Sequence, residues 1–250
     1  MAGYMALTGE PGGPPTKCGV SIIDFAGGYA SLVGLLVALF DAERTGIGRD
    51  VDVSLLDTAV HMLNYLAIWQ QNEGFVPGRI ADSGHSVLVP AQNFATADGT
   101  VTVICFKEKF WQRLCERIGR AELAADPRFA TFADRLSRKA ELLSILKPIF
   151  AARRTSEWIA TLGGAVPCAP VNSLAEALAE PQVLAREMIV EVDHPVRGKI
   201  REVGSPVKID GPPMPRRRAP LLGEHTDEIL GEAGVSPAEI EALRAAGVVR

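Results

Sequence analysis

The sequence predicts an α/β chain, and three observations predict it. Apolar residues recur at helical spacing over residues 27–43, an Asp-Gly pair separates two strand-like runs within residues 94–104, and Ser236, Pro237 and Glu239 form a helix-capping constellation. With 250 residues, 47% of them apolar, the chain can bury a core and fits one large or two modest domains. Its 26 basic and 30 acidic residues leave a formal charge of −4 with no basic stripe interleaved with aromatics, which argues against a nucleic-acid surface. Arg216-Arg217-Arg218, the densest positive run, lies between prolines and reads as a solvated turn.

The elements follow in order. A turn-rich start (Gly9 to Pro15) runs into the β-branched Val20-Ser21-Ile22-Ile23, a loop and short extended segment ending at Asp24. Leu32, Leu35, Leu36, Leu39 and Phe40 then give a helix from Gly27 to about Glu43, with Val33 and Val37 adding apolar surface on another side. Such a helix must be covered on most sides. Its apolar stretch Ala30–Phe40 is shorter than the ~20 residues a bilayer crossing needs, so a buried helix is expected. Thr45-Gly46-Ile47-Gly48 stops it, Asp50-Val51-Asp52-Val53 alternates as a strand, and Ser54 with Asp57 caps a helix from Leu55 to about Gln71 that exits at Gly74.

Residues 75–89 have no clear period and read as a linker into a second unit. There Asp98-Gly99 predicts a type I′ hairpin between Phe94-Ala95-Thr96 and Val101–Ile104. Helices are expected over Lys109–Ile118, Lys139–Phe150, Ser156–Leu162 and Leu174–Ala179, with a strand at Ala169-Pro170-Val171. Ile189–Val192 and Ile200–Val203 bracket a turn, a Pro-rich extended tail spans Gly211–Pro220, and the capped C-terminal helix closes at Gly247. Trp111, Leu114, Cys115 and Ile118 share one helix face and read as core, and His61 within its apolar helix reads as a core histidine.

Cys18, Cys105, Cys115 and Cys168 lack the close pairs of a zinc site or a redox dithiol, so reduced, mostly buried thiols and no metal are expected. No basic segment followed by an apolar stretch opens the chain, so no secretory signal and a cytoplasmic location are expected. Asp24 is followed by the small residues Ala26-Gly27-Gly28, which let a bulky ligand approach the backbone. From the residues alone the first reading is an N-cap aspartate ahead of a helix, a common role for Asp there. His85, in the loop Ser83-Gly84-His85-Ser86, is either a solvated loop histidine or a donor near a substrate.

Gly19-Val20-Ser21-Ile22-Ile23-Asp24, then Gly28, Ala38, Glu43-Arg44-Thr45-Gly46, Gly48 and Val51-Asp52-Val53-Ser54-Leu55-Leu56-Asp57, together resemble one continuous signature of the class III (CaiB/BaiF-type, formyl-CoA transferase-like) CoA-transferases. Pro90, Phe94, Thr96 and Asp98-Gly99 are similar to the family's hairpin, and Asp126-Pro127-Arg128-Phe129 to its next landmark. Gly204-Ser205-Pro206 and Ala219 to Thr226 resemble its closing segment, so the resemblance spans essentially the whole chain. Ala91-Gln92 stands where relatives often carry an aromatic after the proline.

The resemblance implies a partial Rossmann-like large domain over 1–75, a small α+β domain inserted over 76–192, and a segment over 193–250 returning to the large domain. It places Asp24 on the family's catalytic aspartate, Gly27 and Gly28 beside it with room for substrate, and Gly84 and His85 near the acyl group. The implied substrates are an acyl-CoA and a carboxylic acid, with coenzyme A as substrate and no further cofactor. Family chains are longer and form interlinked dimers. A homodimer, or a partner chain supplying the missing amino-terminal half of the large domain, is therefore expected, as is an exposed apolar face on the 27–43 helix. A 2-methylacyl-CoA racemase and an inert subunit are the alternative activities that the resemblance leaves open.

Overall fold

The computed structural model describes residues 1–210 and 217–250. Residues 211–216, which hold Arg216 and most of the expected Pro-rich tail, lie outside the described residues. The chain is α/β and divides into two compact units, Met1–Val171 and Asn172–Arg250.

The first unit opens with α1 (Tyr4–Leu7), α2 (Ile22–Thr45), α3 (Leu55–Met62) and α4 (Asn64–Glu73). Helix α2 starts earlier than its apolar spacing suggests and takes in Ile22 and Ile23. β-branched side chains crowd the preceding turn of a helix, and in a first turn there is none to crowd. Gly46 in the left-handed conformation (φ 71°) ends α2 as expected. The Ser54 hydroxyl accepts from the Asp57 amide at 3.0 Å and caps α3, again as expected. The single helix expected over 55–71 is instead two, broken where Asn64 takes φ 44°. Asn tolerates that region, and nothing in the apolar spacing marks it.

Two further expectations fail here. Asp50–Val53 forms no strand, because its backbone finds no ladder partner among the described residues. The long apolar helix is not buried, and instead shows the exposed apolar face that the resemblance implies: of α2 only Gly27 is buried, while Phe25, Tyr29, Leu36, Val37 and Phe40 face outward. At 24 residues α2 is the one helix among the described residues that is long and apolar enough to cross a bilayer by length and composition, since it extends beyond Ala30–Phe40 at both ends. An all-round apolar helix equally suits the core of a larger protein. His61 is exposed too, not a core histidine.

The rest of the first unit packs helices on a three-stranded antiparallel sheet. Strands β1 (Ala91–Ala95), β2 (Thr100–Ile104) and β3 (Cys168–Pro170) lie in that order, with Phe94 opposite Val101 and Gln92 opposite Val103. Around it come α5 (Glu108–Arg117), α6 (Glu122–Ala125), α7 (Phe132–Ser137), α8 (Lys139–Ala151) and α9 (Thr155–Leu162). Phe94 stacks on Phe150 at 4.3 Å, and Trp158 Nε1 donates to the Phe150 carbonyl at 2.8 Å. Trp111, Leu114 and Cys115 of α5 are buried with Ile118 packed beside them, as their spacing predicts. Burial pushes the Cys105 and Cys115 thiols up to about 12. Among the thiols Cys18 alone is exposed.

The hairpin forms, but not through a type I′ turn, which needs positive φ at both central residues. Neither Asp98 nor Gly99 has it. The turn is longer, closed by Thr96 N donating to the Gly99 carbonyl at 3.0 Å. The Asp98 carboxylate is committed elsewhere: it accepts from the Thr155 amide at 2.8 Å and from Arg154 Nε at 2.9 Å, so it caps α9 across the fold.

Arg135 of α7 is fully buried, and each of its three guanidinium nitrogens donates a hydrogen bond. Its guanidinium donates to the Val89 and Phe129 carbonyls, each at 2.9 Å, and to the Glu108 carboxylate at 2.8 Å, while lying 5.2 Å from the Trp111 ring centroid. One side chain thus joins the 85–91 loop, α5 and α7.

The second unit holds α10 (Leu174–Ala179), α11 (Pro181–Ala185), the antiparallel pair β4 (Ile189–His194) and β5 (Gly198–Val203), α12 (Thr226–Glu232) and α13 (Pro237–Ala245). The hairpin and the α13 capping box match expectation: Ser236 Oγ accepts from the Glu239 amide at 3.3 Å and the Glu239 carboxylate accepts from the Ser236 amide at 3.0 Å. Glu224 pairs with Arg218 and accepts from the Leu221 amide at 2.6 Å, and first the guanidinium and then the amide hold its carboxyl at about 2, so the Glu224-His225-Thr226 landmark is locally capped.

Two outcomes follow from this packing. Arg135→Ala should cost about 3–5 kcal/mol in urea unfolding, because it strands carbonyls and a carboxylate that the guanidinium now satisfies. Asp98, held at about 2 first by the Thr155 amide and then by Arg154, has a folded value below its unfolded ~3.9. Its contribution is present above pH ~4 and lost as pH falls toward ~2, so Asp98→Asn should flatten that acid limb in melting curves recorded across it.

Candidate functional site

Asp24 is the third residue of α2, and the residue ahead of the helix is Ser21, so Asp24 is not the N-cap. Its carboxylate is exposed and makes no hydrogen bond or ion pair with any described residue. The helix dipole favours an anion in this first turn. Ser21, Asp24, Phe25, Gly28, Tyr29 and Leu32 recur at i, i+3, i+4, i+7, i+8 and i+11, and this stripe lines a concavity of about 680 Å³.

The two neighbouring glycines do different work. A Cβ at Gly27 would sit 2.7 Å from Leu55 Cδ2, and one at Gly34, a further two turns along, 2.8 Å from Val51 Cγ1. Gly27 and Gly34 therefore seat α2 against the 51–55 segment, which aims the Asp24 stripe outward. A Cβ at Gly28 would meet nothing within 4 Å, so Gly28 is the residue that leaves open space beside the carboxylate.

Gly84 and His85 do not line that concavity. They follow a tight turn in which the non-glycine residues Asp82 (φ 58°) and Ser83 (φ 53°) both take the left-handed conformation. A Cβ at Gly84 would lie 2.9 Å from Ile80 Cγ2 and 3.2 Å from Lys139 Nζ. The His85 amide donates to the Ala91 carbonyl at 2.9 Å, and His85 Nδ1 accepts from the Val87 and Leu88 amides, each at 3.2 Å. That places the proton of the neutral ring on Nε2. Burial and then the Lys139 ammonium lower the His85 pKa, so the neutral form is favoured. The ring stacks on Tyr65 of α4 at 6.1 Å.

The structure thus gathers Asp24 and Gly28 at one place and Gly84 and His85 at another. Phe25 and Tyr29 were recoverable from the sequence as members of the Asp24 helix stripe. Lys139, more than fifty residues beyond the turn it approaches, carries no local signal of that proximity. Among the described residues no cluster of three or more His, Cys, Asp or Glu could hold a metal ion.

Comparison with known proteins gives a consistent picture. A model of CoA-transferase family III matches residues 1–226. The chain is 37% identical over 246 residues to the succinyl-CoA:mesaconate CoA-transferase of Haloarcula hispanica, covering 94% of this chain and 59% of that protein. It is 32% identical over 252 residues to the human succinyl-CoA:glutarate CoA-transferase, covering 100% of this chain and 57% of that protein. Among solved structures, a CaiB/BaiF family protein from Brucella suis aligns with a TM-score of 0.74 at 30% identity, over 92% of this chain and 60% of that chain. A Mycobacterium tuberculosis protein solved in an orthorhombic form aligns with a TM-score of 0.77 at 25% identity, over 90% of this chain and 60% of that one. The chain therefore spans rather more than half the length of the relatives it matches.

The glycine pair separates packing from access. Gly27→Ala should destabilise by about 1–3 kcal/mol, since its methyl group must displace Leu55. Gly28→Ala should be neutral or stabilising by up to ~1 kcal/mol, since alanine suits a helix interior and meets no neighbour. Paired thermal unfolding curves check both.

Proposed function

The chain belongs to CoA-transferase family III, and from that premise we propose that it moves coenzyme A from an acyl-CoA donor to a carboxylic acid with Asp24 as the nucleophile. The observation that carries this reading is the exposed, unpartnered Asp24 carboxylate beside the open Gly28 in the first turn of α2. A carboxylate free of competing hydrogen bonds is available for attack.

In this reading an Asp24 oxygen attacks the donor thioester carbonyl, giving an aspartyl acyl anhydride and expelling CoA thiolate. The thiolate attacks the Asp24 carbonyl, forming an enzyme-CoA thioester and releasing the donor acid. The acceptor carboxylate then attacks that thioester, expelling CoA thiolate and forming a second anhydride, and the thiolate attacks its acceptor carbonyl to give the acceptor acyl-CoA and the free Asp24 carboxylate. In this reading His85, neutral with its proton on Nε2, is a hydrogen-bond donor to the acyl group, and Gly84 is held small by Ile80 and Lys139 beside it. The relatives' names, succinyl-CoA:mesaconate and succinyl-CoA:glutarate CoA-transferase, point to short dicarboxylic acids as the substrate class.

The apolar faces of α2 need cover for a dry site around Asp24. In the proposed architecture, residues 1–75 are part of a Rossmann-like large domain, 76–192 an inserted α+β domain and 193–250 a return to the first. Cover comes from a second copy or from a chain that supplies the remaining length of the relatives. The uncovered helix also favours one alternative, a subunit that is inert until joined by its partner.

Peptide-mapped mass spectrometry after incubation with an acyl-CoA panel and hydroxylamine tests the reading. The expected result is a hydroxamate at Asp24 alone, lost in Asp24→Ala. Exchange of the α-hydrogen with heavy water, without any acceptor acid and without an Asp24 adduct, would instead identify a 2-methylacyl-CoA racemase.

A further inference from the structure

We propose that the concavity between the 81–83 turn and the outer face of α8 binds the carboxylate of a short-chain acid, with the Lys139 ammonium as its counter-ion. The inference goes beyond the transferase reading, and its ligand is of the same class, a short carboxylic acid, as the acceptor in that reading.

Ala81, Asp82, Lys139, Ala140, Leu143, Ser144 and Lys147 line this space of about 540 Å³. Lys139, Leu143 and Lys147 lie at i, i+4 and i+8, so one helix face presents a cation, an apolar floor and a second cation. The cations are not equivalent. Lys147 pairs with Asp82 at 2.7 Å, and the nearby Arg128 and Arg138 are both taken up by Glu141. Lys139 Nζ makes no ion pair or hydrogen bond with any described residue. It is nonetheless half-buried, and burial lowers its pKa while the Asp82 charge offsets only part of this, so the ammonium stands partly desolvated with no direct partner.

The turn approaches that cation closely. Gly84 is the residue whose Cβ would come 3.2 Å from Lys139 Nζ, and the two residues before it hold left-handed conformations that cost energy outside glycine. The Lys147–Asp82 pair fastens the turn to α8.

Charge decides between oxyanions. A single ammonium without a direct partner suits a monoanionic carboxylate, while the Asp82 carboxylate lining the same space repels a phosphate dianion about twice as strongly as a monoanion. Ala140 and Leu143 offer contact for a few methylenes and little polar surface for a sugar or base.

The test is amide NMR titration of the purified chain with monomethyl succinate, which carries one free carboxylate and one ester. Monomethyl succinate should shift the amides of Asp82, Ser83, Gly84 and Lys139, and uncharged dimethyl succinate should not. Lys139→Met, with an unchanged melting temperature, should weaken binding by about tenfold or more, and Lys139→Arg should restore most of it. Equal binding by Lys139→Met, equal shifts with dimethyl succinate, or tighter binding of inorganic phosphate at these amides would each overturn the proposal. Asp24 labelling without carboxylate binding here would sink the subsite alone, whereas binding here without Asp24 labelling would sink the transferase reading instead.

Discussion

The buried guanidinium of Arg135 is the interaction on which the helical part of the first unit depends. A charge removed from water is tolerated only where its donors are satisfied, and Arg135 meets this with the Val89 and Phe129 carbonyls, the Glu108 carboxylate and the faces of Trp111 and Phe132. The partners come from several segments: Val89 ahead of β1, Glu108 and Trp111 of α5, Phe129 ahead of α7, and Phe132 of α7 itself. The Val89 carbonyl anchors the chain entering β1, and so fixes the loop in which His85 donates to Ala91. Glu108 starts α5, and Arg135 itself lies in α7, immediately before the helix that carries Lys139.

Helix α2 obeys the opposite logic. It carries Asp24 and is seated through Gly27 and Gly34, yet nearly all its apolar side chains face outward. Burying such side chains releases ~1.5–3 kcal/mol each, so this surface represents a large unspent driving force for association. The same helix that positions the carboxylate therefore demands a cover, and the cover would exclude water from the anhydride and thioester steps proposed there.

Much of this was legible in the residues, and the failures have identifiable causes. The α5 face, the Ser54 and Ser236 caps and the hairpin strands were readable because each depends on contacts within a few residues. The break at Asn64 was not, since apolar spacing continues through it. Asp50–Val53 alternates like a strand, but alternation is only half of a strand, and the other half is a neighbour that no described residue supplies. Asp98-Gly99 carried the hairpin signal correctly and the turn type wrongly, because the Asp98 side chain serves α9, far away in sequence. At the candidate site, Asp24 was found through its resemblance rather than its spacing. Lys139 stayed hidden because its proximity to Gly84 is created by the fold.

The central claim is that Asp24 itself exchanges an oxygen with the substrate acid, and the most direct measurement is turnover with an acceptor acid whose carboxylate carries oxygen-18, followed by mass analysis of the Asp24 peptide. The account predicts one heavy oxygen delivered to the Asp24 carboxyl in each cycle, since the acceptor oxygen that bridges the second anhydride stays with aspartate. Turnover that leaves the Asp24 peptide unlabelled would contradict it.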